Sequence, residues 1–227
     1  YTDRPDVIGE PFYIQNELNF LVKRANSLGM PVAIHAIGDR GVQMALNAFE
    51  FSNHLNLANR VEHVEVIQPG TVERFRELNV TASMQPNHGT GVIGKYITPR
   101  IGSEREKFAY VWNDFLKGGV RLALSSDFAT SPFSPLVQLF DAVFRESPSG
   151  LYDGAWYPEQ RISFDEALYA YTQIGADLSG WGEEIGSIKK GKWADFVILD
   201  QRLNDPVGRE LKDTLVSSTF FAGKEVY

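Results

Sequence analysis

Cysteine is absent from these 227 residues, which excludes a disulfide framework and any thiolate site. The absence fits a reducing compartment, and a cytoplasmic protein is the expectation. No run approaches 18 apolar residues, so no transmembrane helix is expected. No signal-peptide pattern opens the chain. Basic residues are the minority, 22 against 29 acidic, for a net charge of −7. With no basic stripe, that balance argues against a partner that is nucleic acid. There is no Gly-rich phosphate loop before a helix and no Gly-x-Ser-x-Gly elbow, so a serine hydrolase ranks low. Low-complexity segments are also missing.

What is present is a βα rhythm. Ile14, Leu18, Leu21, Val22, Ala25 and Leu28 make an amphipathic helix that Gly29 ends. The strand 31–35 (PVAIH) follows, then a helix through Val42, Ala45, Leu46 and Phe49, with Asp39 as its expected N-cap. Strands are expected again at 60–63 (RVEH), 79–84 (NVTASM) and 120–124 (VRLAL), with short helices between them. The connection from Pro86 to Gly102 is rich in Gly and Pro and reads as a long functional loop. Four such units make half of an eight-stranded barrel, and an open half leaves edges and an apolar inner face exposed. A short open α/β sheet complete in itself is the alternative. Ser163 and Glu166 form a capping box for a helix through Leu168, Tyr171 and Ile174. Beyond it, Ile188, residues 196–199 and residues 216–227 read as strands of a small β module.

Chemistry-bearing residues fall at strand ends. His35, His63 and Asp127 each close an apolar run, 28 and then 64 residues apart, close to one and two βα repeats of roughly 30 residues. Two imidazoles and a carboxylate at the C-terminal edge of a parallel sheet suggest part of a divalent metal site. Each has a plainer use, a hydrogen-bonded core histidine or a turn aspartate. His88 follows the next strand and could orient substrate, or be a loop residue; Gln85 is a candidate for the same pocket wall. His54 reads as a surface residue. Glu62 and Glu65 flank His63 and read as structural, turned by strand alternation away from the His63 face.

The strings VAIHAIGDRGVQMALNAFE, RVEHVEV, VTASMQPNH, LALSSDFA and EIGSIKKGKWADFVILD together resemble the amidohydrolase superfamily, in its YtcJ-like branch (amidohydrolase family 3, AepA-like). The resemblance runs from about Pro11 to Tyr227. It implies a distorted (β/α)8 barrel with a small β-sandwich built from both chain ends. It implies that His35 and His63 are metal ligands on barrel strands five and six. Asp127 would be the strand-eight carboxylate, binding metal and passing a proton from water to the leaving nitrogen, and His88 the substrate-side histidine. Zinc is the expected metal, one ion or two, and amides, ureas or N-formyl compounds are the expected substrates. The family's His-x-His pair is absent from the four histidines, as is a strand-four ligand, and Ser125 stands where the family usually has Gly. The chain therefore reads as the C-terminal half of a (β/α)8 metal-dependent hydrolase barrel, 1–180, plus part of a β-sandwich, 181–227. Such a half is expected to be inactive alone. A non-catalytic interaction or regulatory module is the rival reading, and the exposed half-barrel edge suggests a homo-oligomer.

Overall fold

The computed structural model describes residues 1–91, 94–146, 154–204 and 206–227. Part of the 86–102 connection lies outside the described residues. The order of elements is α1 (Gln15–Ser27), β1 (Ala33–Ala36), α2 (Asp39–Ser52), β2 (Arg60–His63), α3 (Thr71–Glu77) and β3 (Thr81–Met84). Then come α4 (Pro86–Thr90), α5 (Ile97–Ile101), α6 (Ser103–Glu106), α7 (Trp112–Lys117) and β4 (Leu122–Leu124). The chain continues through α8 (Pro135–Phe144), α9 (Phe164–Tyr171), α10 (Gln173–Leu178), β5 (Phe196–Leu199), β6 (Val216–Phe221) and β7 (Lys224–Glu225).

β1 to β4 form one parallel sheet in the order β1-β2-β3-β4. Each strand lies beside the next in sequence, with no reversal of order. A doubly wound sheet reverses at a switch point, whereas a barrel winds one way, so this order is that of a partial (β/α) barrel. The helices follow from the apolar spacing. α2 buries Val42, Ala45, Leu46 and Phe49 at helical intervals. Phe75 of α3 meets Phe115 of α7 edge to face at 5.0 Å, and both are fully buried. A buried polar knot ties α1 to the strands: Asn26 donates to Asn59 Oδ1 at 2.9 Å, and Ser52 Oγ donates to Asn26 Oδ1 at 2.8 Å.

Several expectations need correction. The inner face is not open along β3 and β4, where every residue is buried. Helices α7, α9 and α10 pack on β4, and the exposure is confined to the edge strand β1, at Ala33 and His35. The N-cap of α2 is Gly38, and Asp39 is the first helical residue, accepting from Arg40 N at 2.8 Å. The described part of the 86–102 connection is wound into α4, a 3-10 turn and α5. The Ser163 capping box is present, but the helix breaks at Thr172, whose hydroxyl donates back to Leu168 O at 2.7 Å. His54 is half-buried, bonded to Ser52 through Nδ1.

A second sheet holds β5, β6 and β7, all antiparallel. β6 and β7 are joined through Ala222 and Gly223, both at positive φ (49° and 76°), the geometry of a tight hairpin turn. Phe196 and Phe220 stack across the pair at 4.5 Å. Ile188 is outside any strand and 86% exposed. Among the described residues no helix is long and apolar enough to cross a membrane.

Candidate metal centre

The carboxyl ends of the four parallel strands collect the chemistry. His35 is the penultimate residue of β1 and His63 the last of β2; Gln85 follows β3 directly, and Ser125 and Asp127 follow β4. In the ladder, Ala36 is in register with His63, one position beyond His35 and Glu62. The His35 and His63 rings meet edge to face at 4.5 Å. The His63 and His88 rings lie parallel, 5.8 Å apart. His88 Nε2 is 3.7 Å from Asp127 Oδ2. The structure thus links each of His35, His63, His88 and Asp127 to the next.

Gln85 connects two of these ends. Its Nε2 donates to Ser125 Oγ at 3.0 Å, which leaves Oε1 to accept from His63 Nδ1, also at 3.0 Å. His63 Nε2 then keeps its lone pair. Burial lowers the His63 pKa below its ordinary value; the neighbouring His35 lowers it further, while Asp127 and Glu65 partly oppose this. A neutral imidazole is the form that binds a metal.

Glu65 corrects the sequence reading. Positions 63 and 65 share parity, so alternation turns only Glu62 from the His63 face. β2 also stops at His63, where His63 and Val64 both take positive φ (76° and 50°). The chain bends there and sends Glu65 inward. It is buried, and His88 Nδ1 donates to its Oε1 at 3.1 Å. The ligand-capable atoms of His63, Glu65 and His88 all lie within 4.8 Å of one another. His88 Nε2 is buried without a hydrogen-bond partner. With Glu65 engaged by His88 Nδ1, the donors left for a divalent cation are the His63 imidazole and its neighbours His35 and Asp127, nitrogen and oxygen groups that suit one.

Asp127 is half-exposed at φ 52°, in a turn closed by Thr130 N donating to its carbonyl at 2.8 Å. Beyond it, Phe128 and Phe133 are 70% and 71% exposed and meet edge to face at 5.9 Å.

α8 holds α4, and with it His88, in place. Asn87 N donates to Gln138 Oε1 at 3.1 Å and Asn87 Nδ2 to Asp141 Oδ2 at 2.7 Å. Burial pushes the Asp141 carboxyl up to about 7, against opposing hydrogen bonds from Asn87 and Thr90. The folded protein therefore binds this proton more tightly than the unfolded chain does. The associated stability is full below about pH 4 and is lost as pH rises through 7, on the order of 4 kcal/mol in total. Asp141→Asn should consequently gain stability over the parent at pH 8 and gain little at pH 4. Urea unfolding of both proteins at the two pH values checks this.

Known proteins share this architecture. The amidohydrolase family (family 3) matches residues 3–227. LONG AFTER FAR-RED 3 of Arabidopsis thaliana is 34% identical over 232 residues, 100% of this chain and 39% of that protein. N-substituted formamide deformylase of Arthrobacter pascens is 31% identical over 220 residues, 95% of this chain and 40% of that protein. The crystal structure of an uncharacterized metal-dependent hydrolase from Pyrococcus furiosus superposes with a TM-score of 0.72 at 34% identity, over 85% of this chain and 38% of that one. The chain spans about two-fifths of the length of the curated relatives it matches. With a one-way parallel sheet, histidines and an aspartate at its carboxyl edge, and a match along almost its whole length, the chain belongs to the amidohydrolase family.

Proposed function

We propose that this chain supplies one wall of the active site of a metal-dependent hydrolase that cleaves carbon–nitrogen bonds other than peptide bonds. The observation that carries the reading is the convergence of three imidazoles and the Asp127 carboxylate at the ends of adjacent parallel strands. His35, His63 and Asp127 would hold the ion, zinc in this reading, with further ligands supplied by chain outside these residues. When bound, the ion supplies Lewis acidity at the scissile carbonyl and lowers the pKa of water.

The chain's own groups do the rest. Asp127 takes a proton from the attacking water at a carboxylate oxygen and delivers it to the leaving nitrogen. His88 presents Nε2 to the substrate, and Gln85 lines the same wall while bracing His63. The Phe128–Phe133 pair offers apolar contact to a substituent on an amide, urea or N-formyl substrate. The relative named as an N-substituted formamide deformylase supports a small amide-like substrate. Residues 1–180 form the barrel part and 181–227 part of a β-sandwich. The exposed edge at β1 is where a second chain would pair, and the cytoplasm is the proposed compartment.

The test is turnover of a panel of formamides, amides and ureas by a polypeptide that carries this chain together with the missing ligands. His63→Ala should abolish hydrolysis. Undiminished turnover in that variant would remove the metal mechanism.

A further inference from the structure

We propose that Glu65 is a positioning residue that fixes the ring and the proton of His88. The inference rests on the reading of His88 as a pocket residue. It concerns a side chain that neither spacing nor family resemblance singled out.

Three observations carry it. First, Glu65 and His88 are both buried, with side-chain exposures of 5% and 3%, and are joined by Oε1 and Nδ1 at 3.1 Å. A carboxylate in so dry a place needs a donor, and it can only accept. The bond therefore places a proton on His88 Nδ1, whatever the charge of the ring. Second, Nε2 of the same ring has no hydrogen-bond partner and lies 3.7 Å from Asp127 Oδ2. The end of the ring opposite Glu65 is the end that faces the reacting side. Third, Glu65 is itself clamped. The backbone bend at His63 and Val64 aims it inward, and Tyr110 N donates to its carbonyl at 2.8 Å. Tyr110 also packs on Gly89, where an added Cβ would stand only 2.9 Å from the Tyr110 ring. One tyrosine thus holds the backbone on both sides of the Glu65–His88 pair.

The consequence is chemical. In water a free imidazole favours the proton on Nε2. Glu65 reverses that preference, so in the neutral ring Nε2 can only accept, from an N–H or O–H of the substrate, and it donates to the Asp127 carboxylate only when the ring carries both protons.

The experiment is a two-bond proton–nitrogen correlation spectrum of this chain with labelled histidine and no added metal. We expect protonated Nδ1 at His88 in the parent. Glu65→Gln, whose amide oxygen can still accept, should keep it. Glu65→Leu should move the proton to Nε2 while the methyl spectrum stays that of the folded chain. An unprotonated Nδ1 in the parent overturns the proposal, as does loss of that proton in Glu65→Gln or an unchanged His88 in folded Glu65→Leu. If Glu65→Leu does not fold, the parent and Glu65→Gln spectra decide. Failure of the metal reading shows separately, as a His63 signal indifferent to added zinc while His88 behaves as described.

Discussion

Asp127→Asn should lower kcat of the assembled hydrolase by roughly 10²- to 10⁴-fold, the usual loss when a general acid–base is removed. The amide keeps the shape of the carboxylate but cannot accept the proton of the attacking water. Because Asp127 would also hold the ion, the loss belongs to proton transfer when both proteins are compared at equal bound metal. Asp127 sits at φ 52°, in the left-handed region, and Asn tolerates that region as readily as Asp does. Asp127→Ala would mix the loss of the carboxylate with backbone strain. The half-exposed setting means that little core packing is disturbed. Single-turnover rates for both proteins, with circular dichroism as a control on folding, give the comparison. A loss smaller than tenfold would take Asp127 out of the proton path.

Arg145→Ala should destabilise the fold by about 3–5 kcal/mol, a large part of the 5–15 kcal/mol typical of a whole domain. Arg145 is completely buried at the end of α8. Its Nε donates to Trp156 O at 2.6 Å and its Nη1 to Tyr110 O at 2.8 Å. The guanidinium lies over Trp112 at 4.1 Å and Trp156 at 4.9 Å. Truncation strands two buried carbonyls, removes both stacking contacts and opens a cavity. Lysine should recover little, because one ammonium cannot reproduce the planar fork. Methionine separates the causes, since it fills volume but leaves the carbonyls unpaired. The midpoint of urea unfolding for the three variants reads this out, and a shift worth under 1 kcal/mol for alanine would mean that the site collapses freely. Tyr110 is shared with Glu65 and Gly89, so damage here should also reach the metal centre.

The parallel sheet was legible because its strands carry short runs of Val, Ile, Leu and Ala, bounded by Gly and Pro. Their ends marked His35, His63 and Asp127 by position alone, and a βα repeat has a fixed length. What escaped the sequence depends on backbone bends and on contacts between distant segments. Glu65 follows two consecutive residues at positive φ, a bend that neither His63 nor Val64 advertises. Its parity with His63 was the available signal. The clamp of Gln138 and Asp141 on Asn87 joins residues 51 and 54 apart, beyond any periodic pattern. Nothing in the sequence marks Arg145, and the packed aromatic residues around it make it a core residue. The connection after His88 read as a loop because its Gly and Pro content is high, yet short helical turns tolerate both at their ends. Ile188 shows the opposite error, an apolar residue beside a turn signal that pairs with nothing in the second sheet.

If His63 belongs to a divalent metal site, equilibrium dialysis against zinc shows it. The parent chain and His63→Ala would be dialysed side by side and their bound zinc measured by elemental analysis. The parent should bind zinc at least tenfold more tightly than His63→Ala, with one ion lost per chain. Equal zinc in the two proteins would contradict it.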